Sequence, residues 1–300
     1  MAITNNYSRF LFYSKKLGVS YIDTLMLGRL HLYASKEGIQ ESINLFSNNE
    51  FPLNGVDFPD EYSEPLFKIL GAKTINSLDF SDYEKASIIQ DLNTPITNNL
   101  KNRFTAIIDG GTIEHIFNFP VAIKNCMEAL KINGCFITMT PVNNQMGHGF
   151  YQFSPELFYR VFSEENGFQI LKMIICAHTD GPDFVKWYEV LDPKDVKERI
   201  MLVNNFPTDL VFIAKKTHEA AIFYHTPQQS DYVSTWLASD SIKSGKKPEG
   251  VSTIKHVYKK FVPKKLKIFL RNAYDLFIKE KQEVGDLGVV DPKHFKEFKL

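Results

Sequence analysis

One glutamate and two histidines stand at positions where acid–base chemistry can be performed. Glu114 and His115 are adjacent, and His148 lies between Gly147 and Gly149. Because histidine titrates near neutrality it can take a proton from a hydroxyl or an amine, and a carboxylate beside it can orient the ring or serve as the base itself. We therefore predict Glu114, His115 and His148 as catalytic residues. The structural alternatives are a helix-start acid with a packed histidine, and a loop histidine that caps the following helix.

Glycines and acids at the ends of apolar runs have the types needed to hold a ligand that contains a sugar ring. Gly28 ends the first run, Asp79 ends the second, and Asp109 ends a later one just before Gly110. A carboxylate can accept hydrogen bonds from both hydroxyls of a ribose, and a glycine lets the backbone approach a ligand closely. For Asp79 the alternative is a cap for a helix that follows it.

The segment Asp91–Asn93 is a further candidate, because it follows the apolar pair Ile88-Ile89 and precedes Pro95. It can be the end of a third strand that carries a side chain toward a purine. It can equally be a turn in which the aspartate accepts from its own backbone.

The elements that must position these residues are clearest between residues 104 and 140. The apolar run Phe104–Asp109 predicts a buried strand, Pro120–Lys131 has apolar residues at helical spacing, and Cys135–Thr140 predicts a second strand. Asn133-Gly134 is expected to end the helix. Strand, helix and strand make a βαβ unit, and ligands of open α/β sheets bind beyond the carboxyl ends of the strands.

The rest of the chain extends this pattern. Further helices are predicted at Met1–Gly18, Glu37–Phe46, Ser63–Leu70 and Ser154–Phe162, and further strands at Ser20–Leu27, Lys73–Leu78, Phe168–Ala177 and Asp209–Lys215. We expect the last two strands to form the closing edge of the sheet. The predicted fold class is α/β, with a Rossmann-like, doubly wound, mostly parallel sheet, an antiparallel late strand and a helical basic C-terminal extension.

Composition narrows the class of protein. The chain has 300 residues, 44% of them apolar, and a formal net charge of zero, so no nucleic-acid partner is indicated. The three cysteines stand in apolar surroundings, which favours a reducing compartment, and no spacing resembles a zinc site. The first residues contain no apolar signal core, and no run approaches the ~18 apolar residues of a membrane span. These features predict a soluble cytoplasmic protein without a metal.

The C-terminal part differs in charge from the rest. From Ile242 to Leu300 there are 15 Lys or Arg against 7 Asp or Glu, a local excess of eight positive charges. Pro263–Lys281 has the pattern of an amphipathic helix. We divide the chain into residues 1–217, the main domain, and residues 218–300, the basic extension. The extension either docks on the main domain with a solvated basic face, or contacts a protein partner or an anionic membrane surface.

Taken together, these motifs resemble the class I S-adenosylmethionine-dependent methyltransferases over roughly residues 20–216. The resemblance rests on Asp79, the segment DLN at Asp91–Asn93, IIDGGTIEHIFN at Ile107–Asn118, and the strand that ends at Pro141. The segment GHGFYQFSPELF resembles part of methyltransferase-like proteins associated with bacterial surface-glycan biosynthesis. The resemblance implies S-adenosylmethionine as cofactor and a small polar acceptor such as a sugar or glycan hydroxyl.

The resemblance also implies roles for single residues. Gly28 would lie beside the methionine part of the cofactor, Asp79 would bind the ribose, Asp91 and Leu92 would flank the adenine, and Asp109 and Gly110 would line the floor near the methyl group. Methyl transfer is an in-line displacement for which the protein aligns the acceptor and removes its proton.

Two other interpretations stay open. The glycine-rich acidic loop of such enzymes is replaced here by Gly28-Arg29-Leu30-His31, which favours a non-catalytic, methyltransferase-like protein that binds a partner or membrane through its basic tail. A nicotinamide-dependent oxidoreductase ranks last, because neither a GxGxxG loop nor a Tyr-x-x-x-Lys pair stands in the expected place.

Overall fold

The computed structural model of the protein describes residues 2–46, 53, 56–179, 185–197, 199–243, 263, 266, 289–290 and 293–300. In chain order the strands are β1 (Ala2–Ile3), β2 (Asp23–Leu27), β3 (His31–Leu32), β4 (Thr74–Asp79), β5 (Ile88–Ile89), β6 (Phe104–Asp109), β7 (Leu130–Asn143), β8 (Phe168–His178), β9 (Val185–Val190), β10 (Leu202–Val203), β11 (Thr208–Lys216), β12 (Val289–Val290) and β13 (Phe295–Phe298). The α-helices are α1 (Asn5–Lys16), α2 (Lys36–Phe46), α3 (Glu64–Ile69), α4 (Phe119–Ala129), α5 (Pro155–Val161), α6 (Pro193–Val196) and α7 (Ser230–Lys243).

A nine-stranded sheet organises the molecule, in the order β13-β9-β8-β11-β7-β6-β2-β4-β5. Within the half formed by β5, β4, β2, β6 and β7, every neighbouring pair of strands is parallel. In chain order this half runs third, second, first, fourth, fifth, which is the doubly wound arrangement with a switch point between β2 and β6. The predicted α/β class and the βαβ unit are therefore confirmed.

The other half of the sheet is antiparallel, which corrects part of the prediction. Strand β11 pairs with β7 on one side and with β8 on the other, both in antiparallel orientation. Strands β9 and β13 then continue outward, so β8 and β11 do not form the closing edge that the sequence predicted. Only four of the eight neighbouring pairs in the sheet are parallel.

Two apolar layers cover the two faces of the sheet. Helices α4 and α5 pack on one face, around Phe136, Phe158 and Phe212. Helices α1, α2 and α3 supply Phe10, Ile39 and other apolar side chains to the opposite face. Helix α5 begins as its sequence predicted, with Ser154 as the cap that accepts from the backbone N–H of Leu157 and a proline in the first turn.

The bend at Asn133-Gly134 lies inside a strand, and our prediction that it ends the helix is wrong. Helix α4 ends at Ala129, and β7 begins at the next residue. Asn133 has a left-handed φ of 69°. A side chain at Gly134 would lie 2.9 Å from the carbonyl oxygens of Lys131 and Phe104. The pair therefore forms an irregularity of β7 that is tightly packed against the start of β6.

The C-terminal region contributes both helix and strand. Helix α7 lies in the extension, whereas Phe295–Phe298 forms β13 of the main sheet and Phe295 is buried in the core. The extension is therefore not helical throughout, because its last strand completes the β-ladder of β9. The helix predicted at Pro263–Lys281 lies almost wholly outside the described residues. The division after residue 217 stays a prediction.

Two further observations concern the described part of the chain. The three cysteines, Cys126, Cys135 and Cys176, are all free and buried, as their apolar surroundings predicted. No helix in the described ranges combines the length and apolar character needed to cross a bilayer.

Candidate functional site

The carboxyl ends of three parallel strands lie side by side and bring the predicted acids together. Leu27 at the end of β2 is in register with Leu78 of β4 on one side and with Asp109 of β6 on the other. Gly28 follows directly, with a left-handed φ of 72° and its N–H bonded to the Leu78 carbonyl at 2.8 Å. Asp79 and Asp109 therefore flank Gly28 at one edge of the sheet, where the fold places ligands.

Asp79 is half-buried at the end of β4. Its Oδ1 accepts from the backbone N–H of Ser81 at 3.2 Å, which leaves Oδ2 for a ligand. No helix follows, since the next residues form turns that lead to β5. The alternative of a helix cap is therefore excluded, and the ribose-binding role stays a prediction.

The side chains of Asp91 and Leu92 make contacts within the protein. Asp91 Oδ1 accepts from the backbone and the side-chain amide of Asn93 at 2.8 and 2.9 Å, which is the turn that the sequence allowed. Leu92 is 6% exposed and packs in the core beside Leu27 and Leu78. Little of its side chain is left for an adenine ring to contact.

The atypical loop after β2 points its arginine into an acidic surrounding. Arg29 bonds to Glu64 at 2.7 Å and to Asp60 at 3.2 Å, and its guanidinium lies 3.7 Å from the centre of the Tyr62 ring. These carboxylates offset the positive charge of Arg29. His31, in the same loop, contacts Glu84 at 3.1 Å and so links the loop to the turns after β4.

Asp109 is fully buried and held by three donors. Its Oδ1 accepts from the backbone of Thr112 at 2.8 Å and of Ile113 at 3.3 Å, and its Oδ2 accepts from the Thr138 hydroxyl at 2.5 Å. Burial raises the pKa of Asp109, because desolvation outweighs these hydrogen bonds. A carboxyl group this enclosed positions the turn after β6.

The space above Gly110 is filled by the protein's own side chains. A Cβ at Gly110 would lie 3.2 Å from Leu30 Cδ2 and 3.5 Å from Tyr7 Cε1. The Tyr7 hydroxyl donates to the Asp109 carbonyl at 2.7 Å, and the Thr112 hydroxyl bridges to the Leu27 carbonyl at 2.7 Å. The crevice at the ends of β2, β4 and β6 thus presents the Asp79 carboxylate as an acceptor at one end, whereas its end near Gly110 is closed by Leu30 and Tyr7.

Glu114 is a buried carboxylate, and only one of its two oxygens accepts a hydrogen bond among the described residues. It lies in the turn Ile113–His115, where its Oε2 accepts from the Thr140 hydroxyl at 3.2 Å. Its Oε1 has no hydrogen bond among the described residues, although His148 Nε2 lies 3.3 Å away. Burial, followed by the charge of Asp109, raises the pKa of Glu114.

The Gly-His-Gly loop, residues 147–149, folds back onto Glu114. The backbone N–H groups of Phe150 and Tyr151 donate to the Glu114 carbonyl, at 2.9 and 3.3 Å. The His148 side chain is 47% exposed, and its ring lies 5.3 Å from that of His115, which is also exposed. Partial burial, and then His148, lowers the pKa of His115, which favours its neutral form. The three predicted catalytic residues therefore come together, and their catalytic role stays a prediction.

Sequence reasoning missed the residues that support this site. Thr138 and Thr140 alternate along β7, so both hydroxyls lie on one face, where they bond to Asp109 and Glu114. The alternate spacing of the two threonines in the predicted strand Cys135–Thr140 indicated that their hydroxyls share a face, but it did not identify their partners. A second missed group is His178, whose Nε2 lies 2.6 Å from Asp209; Gln145 donates to the same carboxylate.

A cleft of about 950 Å³ is lined by Asn143 and Gln152, which flank the segment that carries the Gly-His-Gly loop. Amide side chains of Asn143, Gln152 and Asn166 line it, together with Glu156 and Arg160. Gln152 Oε1 also accepts from the backbone of Gln145 at 2.9 Å, which joins the wall of the cleft to the loop that carries His148. Its volume lies in the range of small-molecule sites.

Comparison with known proteins gives distant structural similarities only. No protein-family model matches the chain, and no curated protein matches it in sequence. A provisionally assigned methyltransferase from Bacillus halodurans shares 8% identity over 68% of this chain and 98% of its own, with a TM-score of 0.37. A Listeria monocytogenes protein, provisionally assigned as an S-adenosylmethionine-dependent methyltransferase, shares 11% over 70% and 99%, with a TM-score of 0.36.

A third structure has a different described activity. It is a mutein of the branched-chain polyamine synthase from Thermus thermophilus, in complex with N4-aminopropylspermidine and 5'-methylthioadenosine. The identity is 12% over 75% of this chain and 60% of that chain, with a TM-score of 0.37, so the match spans less than two thirds of the synthase. At such scores these similarities carry no inference about activity.

Proposed function

We propose that the protein is an S-adenosylmethionine-dependent methyltransferase of a small polar acceptor. The observation that carries this proposal is the common edge of β2, β4 and β6, at which Asp79 and Asp109 flank Gly28. This is the switch point of a doubly wound sheet, with a carboxylate at the position suited to a ribose. Glu114 and His148 lie near the same edge, with Glu114 Oε1 3.3 Å from His148 Nε2.

The cofactor, when bound, supplies the electrophilic methyl group. Asp79 would hold the ribose hydroxyls through its free Oδ2, and Gly28 would let the backbone approach the ligand. Admission of the methionine end requires Leu30 to move away from Gly110. Asp109 acts by fixing the turn that carries Glu114.

The acceptor site would be the cleft of about 950 Å³. Amide side chains such as Asn143 and Gln152 both donate and accept hydrogen bonds, which suits the hydroxyls of a sugar or glycan. Several charged side chains that line the cleft are paired, as Arg160 is with Asp192 and Arg199 with Asp231. Glu114 and His148 would take the proton from the acceptor hydroxyl.

Calorimetric titration with S-adenosylhomocysteine tests this proposal. Saturable binding is expected, and Asp79→Asn should weaken it at least about tenfold, because an asparagine whose oxygen still accepts from Ser81 presents an NH2 donor where the charged Oδ2 would accept from the ribose hydroxyls. Asp82→Asn is the matched control, since Asp82 is exposed in the same loop and should leave the affinity unchanged. Absence of binding at millimolar ligand, or equal affinities for the two variants, would overturn the assignment.

A second candidate is supported by the packing around Gly110. If Leu30 and Tyr7 stay in place, the crevice does not admit the methionine end and the protein is a non-catalytic relative that binds a partner or an anionic membrane through its basic C-terminal extension. The same titration separates the two functions. Vesicles that contain phosphatidylserine would then bind the full chain and lose it at high salt.

A further inference from the structure

We propose that Glu114, His115 and His148 together form a binding site for a divalent transition-metal ion. One carboxylate oxygen and one ring nitrogen from each histidine lie within 4.8 Å of one another. Imidazole and carboxylate are common ligands of Zn²⁺ and related ions, and two histidines with one glutamate is a known set for an open zinc site. This site was not predicted from the sequence, because its ligands come from two loops that are separated along the chain.

Glu114 Oε1 is the observation that points to a cation. The residue is fully buried, and this oxygen has no hydrogen bond among the described residues. An unsatisfied buried carboxylate oxygen is costly, and a bound cation would satisfy it. The Thr140 hydroxyl engages the other oxygen, Oε2, so the carboxylate is oriented to present a single oxygen toward the two histidines.

The backbone around the cluster is fixed while the rings are free to adjust. Hydrogen bonds from Phe150 and Tyr151 to the Glu114 carbonyl join the two loops that carry the ligands. The His115 and His148 side chains are exposed, so small rotations can close the remaining gap to metal-ligand distances. Their exposure also leaves coordination positions open on the outer side for water or for an acceptor oxygen.

Placement of this ion at the acceptor end of the crevice rests on the proposed function, although metal binding itself does not. There the ion would hold the acceptor oxygen and lower the pKa of its hydroxyl, so that the proton could pass to solvent water while Glu114, His115 and His148 act as ligands in place of a base. A metal-binding measurement and the titration with S-adenosylhomocysteine can therefore fail independently.

Titration of the full-length protein with Co²⁺ and Zn²⁺ tests the site. One equivalent of Co²⁺ should give visible absorption bands of a nitrogen- and oxygen-ligated ion, and Zn²⁺ should displace it. His115→Ala and His148→Ala should each weaken Zn²⁺ affinity at least about tenfold. Because both side chains are exposed, these variants should keep the fold, as circular dichroism can verify.

His218→Ala provides the matched control, since His218 is an exposed histidine outside the cluster. It should retain wild-type stoichiometry and affinity. Absence of saturable binding at one equivalent, or equal loss in all three histidine variants, would overturn the proposal. Glu114→Gln, which keeps the shape of the side chain but removes its charge, should abolish the cobalt bands, and their persistence would also contradict the site.

Discussion

Asp109 shows how a single buried side chain connects the sheet to the site. It ends β6, accepts from the turn after it, and accepts from the Thr138 hydroxyl on the neighbouring strand. No cationic group is among the causes of its shifted pKa, and burial disfavours its charged form. The folded protein therefore binds the proton of Asp109 more tightly than the unfolded chain does.

This shift predicts an unusual dependence of stability on pH. Because the pKa of Asp109 is raised in the folded state, its contribution is fully present below the unfolded pKa of about 4 and is lost as pH rises through the folded value. The free energy of unfolding should therefore decrease over that window. Asp109→Asn, which keeps the size and most hydrogen bonds, should show a shallower decrease in urea titrations at several pH values. An unchanged slope would contradict the raised pKa.

At the same scale, the sequence predicted the types of the site residues better than their partners. Glu114, His115 and His148 were singled out because their types and flanking glycines suit proton transfer, and the structure brings them together. The contact between Glu114 and Thr140 was not predictable from spacing. It depends on the register of β6 against β7, which is set by packing over many residues.

Among the elements, the Gly-His-Gly loop depends on its second glycine. A Cβ at Gly149 would lie 2.9 Å from the Glu114 carbonyl oxygen and 3.1 Å from Glu114 Cγ, whereas a Cβ at Gly147 would have no atom within 4 Å. The first substitution must displace the loop from Glu114, and the second need not. The two glycines therefore have different roles despite their symmetric placement around His148.

We expect Gly149→Ala to weaken Zn²⁺ binding at least about tenfold and to lower the free energy of unfolding by about 1–3 kcal/mol. Gly147→Ala should change stability by no more than about 0.5 kcal/mol and leave metal affinity intact. Thermal unfolding and Zn²⁺ titration of the two variants measure both effects. Equal behaviour of the two variants would show that the loop does not depend on its contact with Glu114.

Helices and strands could be predicted from the sequence where the apolar periodicity was strong. Their first and last residues were predicted less accurately. Apolar runs and helical spacing predicted β2, β4, β6 and α4, with bounds that differ by a few residues. The Asn133-Gly134 pair was misassigned because the same residue types end helices and form bends in strands. The pairing of β9 with β13 was not predictable, because their residues are far apart along the chain and carry no turn signal that links them.

For the whole molecule, the sheet is completed by the C-terminal region. Phe295 of β13 is 4% exposed and packs in the same core layer as Phe136 and Phe158. Phe298 makes an edge contact with Tyr13 of α1, with ring centres 5.4 Å apart. The first helix and the last strand of the described chain thus meet, and the main sheet includes a strand from the C-terminal region.

Phe295→Ala should lower the free energy of unfolding by about 3 kcal/mol, since it removes a large buried ring from the core. Lys296→Ala on the same strand is the control, because Lys296 is exposed and its loss should be nearly neutral. Urea unfolding of both variants gives the comparison. A destabilisation below about 1 kcal/mol for Phe295→Ala would mean that β13 is not part of the cooperative core.

The position of β13 also bears on biosynthesis. Because the ribosome synthesises the chain from its amino terminus, β13 emerges after the eight other strands of the sheet. Until then the outer backbone groups of β9 remain unpaired, and such a strand can recruit a strand from another nascent copy. Chains that end before residue 295 should therefore aggregate although they retain most of the site. A monodisperse protein is expected only when translation reaches β13.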